Sequence, residues 1–232
     1  MLWRSCLHPG GRVLAKKYFV TSTGTDIGKT YVTTALIRQA RARQKSVAAC
    51  KPIISGFDTQ DIASSDTGAI LVALGGPVTL EAVKKNSPWR FSAPLAPNMA
   101  ARAEGRALDC AALFAHGREV LAGDEELILI EGVGGVMVPL DEKQTVLDWI
   151  CALKAPVLLV VGDYLGTISH TLTAVEVLRS RRVELAAVVV NEGVGASVPF
   201  DQTLAEIAAW VAPVAVLGLR RGGDGAELAP LL

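Results

Sequence analysis

The chain has 232 residues, half of them hydrophobic, and its 23 Lys and Arg equal its 23 Asp and Glu, so the formal net charge is zero. That balance excludes the global basic field behind nonspecific nucleic-acid binding, and 5% aromatic residues is too few for a base-stacking platform. The apolar runs are also too short to span a membrane, since even Ala155 to Val161 stops at Gly162-Asp163.

A cytoplasmic protein that works on small molecules, with no nucleic-acid or membrane partner, is therefore expected. Met1 to Ala15 has no sustained hydrophobic segment and no convincing cleavage site, so residues 1–16 are expected to be a flexible tail and 17–232 a single domain. Cys6, Cys50, Cys110 and Cys151 lack CxxC spacing and are expected to be reduced thiols.

The first expected strand is Lys17 to Thr21, and the helix after it is Lys29 to Arg43. Between them lies Gly24-Thr-Asp-Ile-Gly28-Lys29-Thr30, which has the residue types of a phosphate-binding loop: backbone N–H groups and a helix N-terminus for phosphate oxygens, Lys29 as a point charge, and the Thr30 hydroxyl for Mg²⁺. The strict GxxxxGK[ST] pattern would place its first glycine at Thr23, so the loop is irregular. A nucleotide is expected against Asp26, Ile27, Gly28, Lys29, Thr30 and Tyr31.

The second strand, Val47 to Pro52, carries Lys51 at its end, and Ser55 follows. A half-buried lysine there needs an anion, or it snorkels to the surface. Asp66 heads the next helix, Asp66 to Leu74, either as a cap or as a Mg²⁺ ligand. From Gly75 to Arg106, four prolines with Trp89 and Phe91 break the rhythm, which reads as a long excursion over the sheet: a surface loop or a substrate wall.

After a helix at Leu108 to Ala122, the apolar strand Leu127 to Glu131 runs into Gly132-Val133-Gly134-Gly135. A carboxylate ending a buried strand beside glycines suits Mg²⁺ held near phosphates, directly or through water, which marks Glu131 and Gly134. Next come a helix at Val146 to Leu153, a strand at Pro156 to Val161 and a helix at Ile168 to Arg182. Thr167 or Ser169 can cap that last helix, whose first amides could receive a substrate carboxylate, while His170 is read as structural. The strand Leu185 to Asn191 ends on an amide able to meet a base edge, and a helix at Phe200 to Val211 and a strand at Val214 to Leu217 complete the series. The alternation predicts an α/β fold: a mainly parallel sheet of about seven strands, helices on both faces, like a P-loop NTPase.

Taken in order, Phe19 to Thr30, Lys51 to Gly56, Ser65-Asp66, Ala93 to Pro97, Glu131 to Gly135, Val161 to Gly166 and Val190-Asn191 resemble the dethiobiotin synthetases, over about Lys17 to Leu219. The resemblance implies an ATP- and Mg²⁺-dependent ligase of biotin synthesis, usually a homodimer, which closes a ureido ring on 7,8-diaminononanoate with carbon dioxide. It implies Thr30, Asp66 and Glu131 as metal ligands, with Lys29, Lys51, Thr25 and Ser55 around the carbamate and the migrating phosphoryl group. Ser22 stands at the family's usual first glycine, Gly24 at its aspartate, Asn98 at a frequent histidine, Tyr164 at a position lysine can take and Ser169 at a frequent asparagine. Those departures leave a second reading open, a paralogous P-loop ATPase with another substrate. A partition or division-site nucleotide switch is a third, although Gly24 holds the place of its signature lysine.

Overall fold

A computed structural model describes residues 15–195 and 197–232. The first fourteen positions of the expected tail lie outside the described residues. Its last position does not behave as tail, because β1 (Lys16–Ser22) already begins at Lys16.

The chain then alternates as the apolar runs require. α1 (Lys29–Ala42), β2 (Val47–Cys50), β3 (Ile53–Ser55), α2 (Asp66–Leu74), α3 (Leu80–Asn86), β4 (Trp89–Phe91), α4 (Pro97–Ala103) and α5 (Cys110–Leu121) form the first half. β5 (Leu127–Glu131), α6 (Val146–Leu153), β6 (Val157–Val161), α7 (Thr167–Ser180), β7 (Leu185–Asn191), α8 (Phe200–Val211) and β8 (Ala215–Leu219) form the second, followed by a 3₁₀ turn at Ala226–Leu231.

Six strands make one parallel sheet in the order β2-β5-β1-β6-β7-β8, and β3 pairs with β4 in a separate parallel ladder. All five residues of β5 and of β6 are buried, because helices cover both faces of these strands. Side chains of a strand alternate between faces, and the two cores follow that alternation. Tyr18, Val20, Leu129 and Val160 pack under α1, α2 and the 3₁₀ turn, while Phe19, Ile130, Leu159 and Val190 pack under α5 to α8. Phe19 meets the fully buried Trp149 edge-on, with ring centroids 4.9 Å apart.

The segment from Gly75 to Arg106 is more ordered than an excursion, since it holds α3, β4 and α4. Each of these is too short to show a period, so the prolines dominate its sequence signal. Around it, local chemistry sets the boundaries: Pro52, which has no N–H to give a ladder, follows the end of β2, and Asp109 caps α5 by accepting the Ala112 N–H at 2.9 Å.

The sheet brings the carboxyl ends of β1, β2, β5, β6 and β7 to one edge. Ser22, Cys50, Glu131, Val161 and Asn191 are their last residues. Ligands bind outside such an edge in open α/β sheets.

Candidate functional site: a phosphate cleft fed by strand ends

The loop after β1 turns through two left-handed residues, Asp26 at φ 58° and Gly28 at φ 98°, before α1 begins. α1 therefore has no side-chain cap, and its first amides are left to a ligand. A second loop, after β5, presses against the first: the Val136 N–H donates to Ser22 O at 3.1 Å, and a Cβ on Gly135 would stand 3.2 Å from Gly24 N and Ser22 O. A side chain larger than glycine there would push the two loops apart by a few tenths of an ångström.

Lys29 is buried, and its ammonium donates to Ser22 Oγ (3.1 Å) and Gly24 O (3.3 Å). The Ser22 hydroxyl in turn lies within reach of Gly24 O (2.5 Å) and Gly134 O (3.1 Å), so it ties the two loops together. Burial, then the neighbouring Lys51 charge, pushes the Lys29 ammonium down to about 8. Phosphate binds the charged form, so above that value the free protein must take up a proton to bind nucleotide. ATP affinity is therefore expected to hold from pH 6 to 7.5 and to fall by up to about tenfold per pH unit beyond 8. Titrations at pH 7, 8 and 9 with Lys29→Arg beside the native chain check this, since Arg keeps its charge throughout.

Lys51 is buried too, and it joins two carboxylates: Glu131 Oε1 at 2.8 Å and Asp66 Oδ2 at 2.6 Å. Burial draws its ammonium down, but the two carboxylates outweigh burial and raise it, so it stays charged. For Asp66 burial acts upward and is overcome by Lys51, leaving the carboxyl below its ordinary range. Glu131 is fully buried; its Oε1 also accepts the Thr30 hydroxyl at 2.6 Å, and its Oε2 has no partner.

Asp66 is placed by Ser65, whose hydroxyl caps α2 by accepting the Gly68 N–H at 3.0 Å. Ser65→Ala is expected to lower stability by about 1 kcal/mol, measured by urea unfolding, while the acid stays at the helix start.

Thr25, Asp26, Gly28, Lys29, Thr30, Lys51, Ser55, Asp66 and Gly134 all line one cleft of about 560 Å³, with Pro94 to Pro97 as its opposite wall. The proline-rich segment thus does form a wall, and Glu131 lies beneath it. Ser55 Oγ is buried there without a partner. Among the described residues, no three His, Cys, Asp or Glu cluster as a metal site. A hard divalent cation nonetheless suits the oxygen donors of Thr30, Asp66 and Glu131, since Glu131 Oε2 is buried without a partner.

The chain matches the family model described as an AAA domain over residues 16–218. It is 48% identical over 221 residues to the ATP-dependent dethiobiotin synthetase BioD of Methylobacterium nodulans, covering 91% of this chain and 98% of that protein. The same-named protein of Caulobacter vibrioides is 49% identical over 220 residues, covering 94% and 99%. The chain belongs to the dethiobiotin synthetase family.

Among solved structures, the signal recognition particle receptor FtsY of Elizabethkingia anophelis shares the fold at TM-score 0.51 and 13% identity, over 96% of this chain and 66% of that one. Chloroplast FtsY of Physcomitrella patens does so at 0.53 and 12%, over 97% and 67%. The chain thus spans about two thirds of the length of these receptors, and the likeness is one of fold.

For a dethiobiotin synthetase, the expected site residues divide in space. Asp26, Ile27 and Asn191 line a smaller cleft beside the loop, where the Asn191 amide donates to Ile27 O at 3.1 Å. Tyr31 lines neither cleft; its hydroxyl accepts the Gly222 N–H at 3.1 Å and pins the segment after β8. Sequence reasoning passed over Asp163, which is buried in the smaller cleft and accepts the Gly193 N–H at 2.8 Å. Its sequence signal was slight: an acid two residues past the buried β6, whereas Glu131 is itself the last residue of the buried β5.

Proposed function

We infer that the chain is a dethiobiotin synthetase, which closes the ureido ring on 7,8-diaminononanoate with carbon dioxide and ATP in biotin biosynthesis. The observation that carries this reading is the meeting of Lys29, the first residue of α1, and Lys51, just past the end of β2, in one cleft at the N-terminus of α1. It is supported by relatives of that name at 48% and 49% identity over nearly their whole length.

One amine of the substrate captures carbon dioxide as a carbamate. A carbamate oxygen takes the γ-phosphoryl group from ATP, releasing ADP, and the second amine attacks the carbonyl carbon of this carbamic-phosphoric anhydride, losing a proton and expelling phosphate as the ring closes. No enzyme nucleophile is required, so catalysis rests on position and charge. Lys29 and the free amides of α1 hold the phosphates. Lys51, with Thr25 and Ser55, receives the carbamate and the transferring oxygens, and the ammonium of Lys51 is held in place by Glu131 and Asp66. Mg²⁺ is proposed at Thr30, Asp66 and Glu131, where it would neutralise phosphate charge.

A third cleft, of about 440 Å³, shares Thr25 with the phosphate cleft and is lined by Met137, Val138, Pro139, Ala174 and Val177. Such an apolar wall suits the alkyl chain of the diamine. We place residues 16–232 in one catalytic domain, a reading supported by the continuous sheet from β2 to β8 and by the start of β1 at Lys16. A homodimer and a cytoplasmic location are part of the same proposal; no described helix is long and apolar enough to cross a membrane.

The test is to incubate the protein with ATP, Mg²⁺, bicarbonate and the diamine, following phosphate and dethiobiotin together. Equal amounts of both products are expected. Phosphate release that ignores the diamine would overturn the ligase reading.

A further inference from the structure

The cleft beside the phosphate loop, about 180 Å³ in volume, continues from the larger one through Asp26, which lines both. Two of its side chains are locked at one end and unsatisfied at the other. Asp163 is 2% exposed; its Oδ1 accepts the Gly193 N–H at 2.8 Å, while its Oδ2 is buried with no hydrogen-bond partner. Asn191 donates through Nδ2 to Ile27 O at 3.1 Å, which fixes the amide orientation and leaves its Oδ1 buried and unpartnered. The buried side-chain atoms left over in this cleft are thus both acceptors.

Tethering the loop after β7 does not explain Asp163. A single oxygen holds Gly193, and an asparagine would do the same without a buried charge. The surplus oxygen is useful only to a donor that arrives with a ligand. Since the cleft adjoins the phosphate loop, that ligand group is the base of the nucleotide.

We propose that Asp163, together with Asn191, selects a nucleotide whose base carries an exocyclic amino group at the edge facing β6 and β7, as the 6-amino group of adenine does. This rests on the reading of ATP as co-substrate and adds the residue that discriminates the base. An amino group offers two N–H donors, one for each orphaned oxygen. Hypoxanthine puts a carbonyl oxygen in place of that amino group, and this oxygen would face two acceptors and pair with neither.

The experiment is equilibrium competition of ATP and ITP against a fluorescent ATP analogue, without diamine, so that base selection is read apart from ligase chemistry. The native protein is expected to bind ATP about ten to a hundred times more tightly than ITP. Asp163→Asn keeps an oxygen for Gly193 and offers N–H groups to the carbonyl of ITP, so the ATP:ITP ratio is expected to fall at least about tenfold. A thermal melt verifies that the variant is folded. Should it not fold, purine riboside triphosphate, which lacks the amino group, decides with the native protein: it is expected to bind at least about tenfold more weakly than ATP, and affinity equal to that of ATP would overturn the proposal.

Equal affinity of the native protein for ATP and ITP would overturn the proposal, as would an unchanged ratio in a folded Asp163→Asn. Failure to bind any nucleotide would overturn the ATP reading itself, and the proposal with it.

Discussion

Lys51→Gln is expected to lower dethiobiotin formation by roughly a thousandfold, because it removes fixed positive charge where phosphoryl transfer builds negative charge. The geometry adds a cost: Glu131 is fully buried, and Lys51 at 2.8 Å is the cation that balances it. Breaking such a pair from one side is expected to destabilise the protein by about 3–5 kcal/mol. Lys51→Gln/Glu131→Gln removes the stranded charge as well, so it should recover most of the stability and none of the activity. Urea unfolding and phosphate release, measured on both variants, check the two halves separately. A double variant no more stable than the single one would mean that the pair is not what holds this edge of the sheet.

Gly28→Ala is expected to weaken ATP binding at least about a hundredfold and to lower stability by about 2–3 kcal/mol. The residue sits at φ 98°, and an added Cβ would lie 2.2 Å from Nδ2 of Asn191. Relief requires moving either the loop proposed to hold phosphate or the Asn191 amide proposed to meet the base, so both halves of the proposed nucleotide site suffer. Gly24→Ala is the contrast: its Cβ would meet only Ile27 carbons, at 3.8 and 3.9 Å, and near-native affinity is expected. Isothermal titration with ATP across the two variants separates backbone strain from mere loss of glycine.

What could be foreseen follows from signal length. Strands buried on both faces announce themselves as apolar runs, and the six strands of the main sheet fell where those runs are, with ends shifted by a residue or two. The ladder between Ile53–Ser55 and Trp89–Phe91 did not, since three residues carry no period and the pairing is set by packing across the sheet edge. The site divides in the same way. Lys29 and Thr30 open a helix right after Gly28, and Glu131 ends a strand beside glycines, positions where residue type and place together imply phosphate chemistry. Whether Lys51 snorkels or is buried could not be read from its neighbours in sequence, because the acids that hold it, Asp66 and Glu131, come from elements distant in the chain. Tyr31 shows the converse: adjacency to Thr30 suggested nucleotide contact, but one step along α1 turns the ring toward Gly222. Asp163 was hidden because an acid after a strand is ordinary; its unpaired oxygen is visible only in three dimensions.

The strand that bears the phosphate loop has both its neighbours far along the chain: Lys16 pairs with Leu127, and Phe19 with Val157. During synthesis, β1 leaves the ribosome more than a hundred residues ahead of the first strand it can pair with, and β6 follows later still. Until then its N–H and C=O edges and its apolar faces have no partner, and a nascent chain ending before Leu127 lacks the strands that would frame the proposed nucleotide pocket. The arrangement makes assembly of the catalytic edge a late event in the life of the polypeptide, so that release of a prematurely terminated product yields an aggregation-prone fragment instead of a partly active one.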